Sequence, residues 1–181
     1  SDAGSVDETA QLADYSLEKL DPTQRAFADR VLKWADSVVD TYELVRADGR
    51  YRDVPLLRSF LGGSAGSGKS TTLKTCVVLV RALFKKRGNP AKIELTAYTG
   101  VAAFNIGFGA RTACSAFQVF PNAAWKNELE GSALRKLEDT WHDVALLIID
   151  EISFIGTSFF ARMHFRIQQA KRAYFSERGL D

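Results

Sequence analysis

Three groups of residues in this chain have the types and spacing to act on a phosphorylated ligand: glycines around one lysine, two adjacent carboxylates, and a glutamine near the start. Gly63, four residues, then Gly68, Lys69 and Ser70 satisfy G-x-x-x-x-G-K-[ST], the P-loop pattern, with Ala65, Gly66 and Ser67 inside the loop and Thr71 just beyond it. Without a Cβ at 66 and 68 the backbone can close around phosphate oxygens and turn successive N–H groups inward at a helix N-terminus. Lys69 adds a point charge, and the Ser70 hydroxyl suits a Mg²⁺ ion bridging the outer two phosphates of a nucleoside triphosphate. A flexible Gly/Ser loop would match this pattern by accident about one time in a hundred at average glycine usage. The apolar run before it and the helix-forming run after it lower those odds.

The carboxylates are Asp150 and Glu151, at the end of the apolar run Val144 to Ile149. Such a run is the pattern of a strand buried on both faces, and open α/β sheets bind ligands at the carboxyl ends of their strands. Asp150 would hold Mg²⁺ through water, and Glu151 would orient and deprotonate an attacking water. A buried strand often ends in a solvated acid, but a P-loop upstream favours a Walker B pair. Gln24 has two readings: an amide that reads adenine, or the third helical residue after Asp21, reaching back to complete a capping box.

The elements that must position these residues are legible as periods. Asp21-Pro22-Thr23-Gln24 opens a helix whose buried stripe is expected to be Phe27, Val31, Trp34, Val38 and Tyr42. Leu56 to Leu61 is expected to be a short strand feeding the loop, and Ser70 to Lys86 a helix carrying Leu73, Val77, Val80 and Phe84, with Cys76 a small core residue. With a second strand over Ile93 to Tyr98, this makes a right-handed parallel unit. Residues 121–143 suggest amphipathic turns on the sheet surface. A last helix over 157–174 is expected to bury Phe160, Met163, Ile167 and Ala170, leaving Arg162, Arg166, Lys171 and Arg172 on a solvated basic face. Lys85-Lys86-Arg87 is accounted for by the dipole at a helix end.

With 181 residues the chain suits one domain with a sizeable core, and 24 Lys+Arg against 22 Asp+Glu do not make it globally basic. Any nucleic-acid contact must therefore be local. Two cysteines and two histidines argue against a disulfide framework or a structural metal. No apolar run is long enough for a membrane span, and the acidic start is unlike a signal peptide, so an intracellular protein with no membrane partner is expected. Residues 1–19 read as a mobile acidic N-terminal arm, and 20–181 as the folded domain.

Taken together, LDPTQRAF, GGSAGSGKST, TAYTGVAAFNIG followed by RTACSAF, LLIIDEISFIG and FFARMHFRIQQAK resemble the PIF (petite integration frequency) type of superfamily-one 5′-to-3′ DNA helicases, including transposon-borne relatives. The resemblance runs from about Leu20 to Lys171. It implies an α/β fold, a three-layer RecA-like P-loop NTPase parallel sheet, incomplete because the motif III strand and the second RecA-like domain, a partner in cis, are absent. It further implies ATP and Mg²⁺ as cofactors, single-stranded DNA as partner, and a nuclear or mitochondrial role in repair, recombination and telomere maintenance. Gln24 would read adenine, and Gly63, Ala65, Gly66, Ser67, Gly68, Lys69, Ser70 and Thr71 would hold the phosphates. Lys69 and Glu151 would be catalytic, and Ser70 and Asp150 would serve the metal. Thr99, Gly100, Phe104, Asn105, Thr112 and Ser115 would track DNA, with Ser153 coupling the two sites. Cys114 stands where the family has a histidine, and Phe154 where it has methionine. On this reading the chain alone is a weak ATPase and no helicase. Alternatives are a P-loop kinase or NTPase acting on a small molecule or protein, whose arginine-rich lid is not evident, and a degenerate non-catalytic DNA-binding remnant.

Overall fold

The computed structural model describes residues 13–50, 52–54, 56–64, 66–120 and 124–176, so the arm up to residue 12 and Ala65 lie outside the described residues. The chain divides into two compact units, residues 1–90 and 91–181.

In the first unit, a 3-10 turn at Leu17–Lys19 precedes helix α1, Pro22–Asp48. Asp21 caps α1 by accepting from the Thr23 and Gln24 amides at 2.8 and 3.0 Å, while Gln24 Oε1 accepts from the Asp21 N–H at 3.1 Å. Pro22 costs the helix nothing at its first position, and Gly49, at φ +69°, ends it. Helix α2, Lys69–Lys86, packs on α1. The buried face of α1 is Ala28, Val31, Ala35, Val38 and Val39, rotated from the expected stripe; Phe27, Trp34 and Tyr42 are only half-buried. Small residues at the contact line let two helices approach closely, which leaves the wide rings at its flanks. From α2 the core receives Thr72, Thr75, Cys76, Val77, Val78, Val80 and Phe84. Burial pushes the Cys76 thiol up to about 12, so it is a small core residue, as expected. Arg87 donates to Glu43 at 2.9 and 2.7 Å and to Asp40 at 3.1 Å, tying the end of α2 to α1. Carboxylate partners, beyond any dipole effect, thus account for that arginine.

The expected strand at Leu56 to Leu61 is not formed: residues 56–64 carry no regular secondary structure, and Leu56 and Phe60 are 81% and 77% exposed. A strand exists only through a hydrogen-bonded neighbour, which an apolar run cannot supply by itself. The parallel unit expected across α2 therefore lacks its first strand among the described residues.

The second unit runs β1 (Lys92–Ala97), α3 (Gly100–Ile106), β2 (Arg111–Thr112), α4 (Ala113–Phe117), α5 (Gly131–Trp141), β3 (Val144–Asp150), a 3-10 turn (Ile152–Phe154) and α6 (Thr157–Ser176). The sheet order is β2-β1-β3, with β1 parallel to both neighbours. This is an α/β unit with a three-stranded parallel sheet. Its core gathers Ala113, Ala116, Phe117, Val119, Leu137, Trp141, Met163 and Ala170. Trp141 is buried on the apolar face of α5: its indole N–H donates to Ala116 O at 3.0 Å and its ring lies 4.7 Å from Phe117. The expectation that β3 is buried on both faces is also corrected, since only Leu146 in it is fully buried and Ala145 is exposed. In the described sheet β3 is an outer strand, so a continuous apolar run does not guarantee cover.

On α6, Met163 and Ala170 are buried as expected, but Phe160 is 50% exposed and two polar residues share the buried face, Arg166 at 1% and Gln169 at 5% exposure. Arg166 donates to the carbonyls of Lys126 at 2.7 Å and Asn127 at 3.0 Å and to Gln169 Oε1 at 3.1 Å, while stacking over Trp125 at 4.3 Å. Gln169 pairs with both backbone groups of Leu129. Lys171 donates to the carbonyls of His142 and Val144. The expected solvated basic face is therefore in large part a clamp holding residues 125–129 and the start of β3. No helix among the described residues is long and apolar enough to cross a membrane.

Candidate functional site

The glycine loop turns on two left-handed residues. Gly66 and Gly68 adopt φ +77° and +75°, a left-handed conformation that costs other residues free energy. Gly68 is the N-cap of α2 and supplies no side-chain acceptor, so the first N–H groups of an 18-residue helix face the loop without a side-chain cap. Lys69 folds back, its ammonium donating to the carbonyls of Gly63 at 2.8 Å and Ser64 at 2.7 Å. Gly63 is crowded: a Cβ there would stand 2.5 Å from Ser67 Oγ. Ser70 and Thr71 are exposed on the first turn, while Thr72 is buried and donates to Gly68 O at 3.1 Å.

Gln24 completes this part of the site. Its amide closes the capping box through Oε1 and also donates from Nε2 to Ser67 O at 3.0 Å. The capping-box reading of Gln24 is borne out, and the same amide also touches the glycine loop. Within the first unit, Gln24, Gly63, Gly66, Ser67, Gly68, Lys69, Ser70 and Thr71 are brought together.

In the second unit the expected residues collect at the carboxyl edge of the sheet. Thr112, Ala97 and Asp150 stand in register across β2, β1 and β3. Asp150 Oδ1 accepts from the Glu151 amide at 2.9 Å. Glu151 is exposed and sits at φ +54°, a left-handed conformation that costs a non-glycine residue about 1 kcal/mol or more and that clusters at functional positions. A 3-10 turn through Ser153 follows directly.

Of the residues expected to track DNA, Thr99 and Thr112 cap helices: their hydroxyls accept from the amides of Ala102 at 3.1 Å and Ser115 at 3.3 Å. A side chain of Thr112 lies 4.0 Å from where a Cβ on Gly100 would sit, so Gly100 and Thr112 are neighbours. Phe104 is 86% exposed beside exposed Asn105 and Val101, whereas Ser115 is half-buried. Arg111 donates twice to Glu94 Oε1, at 2.9 and 2.7 Å, which fixes β2 beside β1.

Sequence reasoning missed the carbonyls of Gly63, Ser64 and Ser67 as partners of Lys69 and Gln24, because backbone acceptors leave no residue signature. It also missed the Arg166 and Gln169 clamp, although their three-residue spacing on the face of Met163 and Ala170 was the available clue.

A left-handed glycine loop leading a long helix, and a parallel strand ending in an acid pair, are the two signatures of α/β P-loop proteins. Within that class the PIF1-like helicase family matches residues 57–175, about two-thirds of the chain, and the chain belongs to that family. It is 26% identical over 113 residues to the ATP-dependent DNA helicase PIF1 of Saccharomyces cerevisiae (strain YJM789), an alignment covering 62% of this chain and 13% of that protein. No solved structure matches.

Proposed function

We propose that this chain is the nucleotide-binding part of an ATP-dependent DNA helicase motor, moving 5′ to 3′ on single-stranded DNA. The observation that carries the reading is the loop itself, with Gly66 and Gly68 left-handed and α2 uncapped by any side chain, within a chain of the PIF1-like family. Oriented amides and one lysine at a helix N-terminus suit a polyphosphate. Lys69 releases two neutral carbonyls and takes phosphate oxygens in their place. The Ser70 hydroxyl and the Asp150 carboxylate are each short oxygen groups of the hard type that Mg²⁺ selects, and each would serve that metal, Asp150 through water. When bound, Mg²⁺ neutralises charge that develops on the transferred phosphoryl group. Glu151, exposed on its left-handed turn, orients water and accepts its proton. Gln24 reads adenine.

The DNA path runs over Thr99, Gly100, Phe104, Asn105, Thr112 and Ser115, with the exposed ring of Phe104 as a base-stacking platform worth about 1–3 kcal/mol. A second RecA-like domain in cis would supply the arginines that accelerate phosphoryl transfer by a factor on the order of a thousand. The test is phosphate release from a protein carrying this chain together with such a domain. Single-stranded DNA should stimulate it, Lys69→Ala should abolish it, and Glu151→Gln should bind ATP without turnover. DNA that alters neither rate nor ATP affinity would exclude the helicase reading.

A further inference from the structure

Gln24 is linked to the loop by more than its place in the chain. Its side chain makes two hydrogen bonds that use opposite ends of one amide: Oε1 accepts from the Asp21 N–H at 3.1 Å, and Nε2 donates to Ser67 O at 3.0 Å. The first bond fixes the amide to the N-terminus of α1, and the second passes that restraint to a carbonyl 43 residues later. The amide also lies against Gly68, where a Cβ would meet Gln24 Nε2. Gly68 is the residue whose left-handed backbone turns the loop into α2. Ser67 O and the Gly68 N–H belong to the same peptide group, so a donor on that oxygen fixes which way this N–H points. The bonds from Lys69 to Gly63 O and Ser64 O must break when the lysine turns to phosphate. The bond from Gln24 has no such obligation.

We infer that Gln24 is a positioning residue for the phosphate loop, holding the Ser67–Gly68 peptide in its anion-accepting orientation from the rigid cap of α1, independently of any contact with the base. The inference rests on the nucleotide-binding reading of the loop. It predicts that the glutamine affects ligands that have no base at all. A residue acting only on adenine discriminates ATP from other triphosphates and leaves the binding of a bare polyphosphate unchanged. A residue acting through the peptide group weakens both by a similar factor.

The test uses the full 181-residue chain. Gln24→Met removes the amide without adding charge, and Mg-ATP and Mg-tripolyphosphate are titrated calorimetrically. Loss of one net hydrogen bond corresponds to about a three- to tenfold weakening, expected for both ligands. A weakened ATP with unchanged tripolyphosphate would overturn the inference. A second measurement needs no ligand: amide hydrogen exchange of Ser67, Gly68 and Lys69 in Gln24→Met and Gln24→Glu. Glutamate still accepts from the Asp21 N–H and preserves the capping box but cannot donate to Ser67 O. Faster loop exchange in both variants is expected. Faster exchange in Gln24→Met alone would assign the effect to the cap, and no change in either would remove the restraint altogether; both results overturn the inference. If the wild-type chain bound neither ligand, the nucleotide reading would fail, while the exchange measurement would still decide the restraint.

Discussion

Replacing Arg166 by alanine is expected to loosen the second unit substantially, although the sequence suggests a solvated side chain. Three hydrogen bonds are lost, to Lys126 O at 2.7 Å, Asn127 O at 3.0 Å and Gln169 Oε1 at 3.1 Å. Bonds from a charged donor contribute about 1.5–3 kcal/mol each, and the stack over Trp125 adds about 1–2 kcal/mol. Against this stands the cost of a buried guanidinium, several kcal/mol, which is also why burial lowers the Arg166 pKa. Lys126 and Asn127 are exposed, so water recovers part of what their carbonyls lose. The net expectation is a destabilisation of about 3 kcal/mol, within the range for breaking a buried charged network. For a protein of this size that corresponds to a melting temperature lower by about 6–12 °C. Urea unfolding followed by tryptophan fluorescence measures the loss, and hydrogen exchange at the Leu129 amide, held by Gln169 Oε1, localises it. A change below about 1 kcal/mol with unaltered exchange at Leu129 would refute the clamp and restore the solvated face.

Gly68→Ala forces a side chain into a left-handed backbone and against Gln24, so a loss of about 1–3 kcal/mol is expected in urea unfolding. Part of that loss should be recovered in a Gln24→Ala background, and none would be if the contact were unimportant. At the end of α1, Arg52 binds both carboxylate oxygens of Asp48 and the Arg50 amide adds a third bond, which holds the Asp48 carboxyl down to about 2. Because the folded value is depressed, this group contributes stability above the ordinary carboxylate range near about 4 and loses it as pH falls through about 2. A carbon-detected NMR titration should find that low midpoint, and Arg52→Ala should raise it towards about 4; an ordinary midpoint in the wild type would contradict the geometry.

Legibility divided along a physical line. Where one residue type does one local job, the chain could be read directly: Asp21 and Pro22 start α1, and Gly66 and Gly68 turn the glycine loop. Where the outcome depends on what packs opposite, period alone misled. The α1 stripe was displaced because Ala28 and Ala35, silent in a hydrophobicity pattern, form the contact line. The apolar runs Leu56 to Leu61 and Val144 to Ile149 look alike, yet only the second pairs with a neighbour, β1. Arg166 looked like a surface charge because its partners are backbone carbonyls about 40 residues earlier. For the site, residue types singled out the loop and the acid pair, and the match of residues 57–175 bears out the family that the motifs resemble. The engagement of Gln24 with Ser67 O needed coordinates, since no spacing rule links positions 43 apart.

The central claim is that the glycine loop at the head of α2 holds a triphosphate. The direct measurement is a calorimetric titration of Mg-ATP into the 181-residue chain and its Lys69→Ala variant. The account predicts binding by the wild-type chain and a weakening of about tenfold or more in the variant, the loss of a charged hydrogen bond. Equally tight binding by both chains, or none by the wild type, would contradict it.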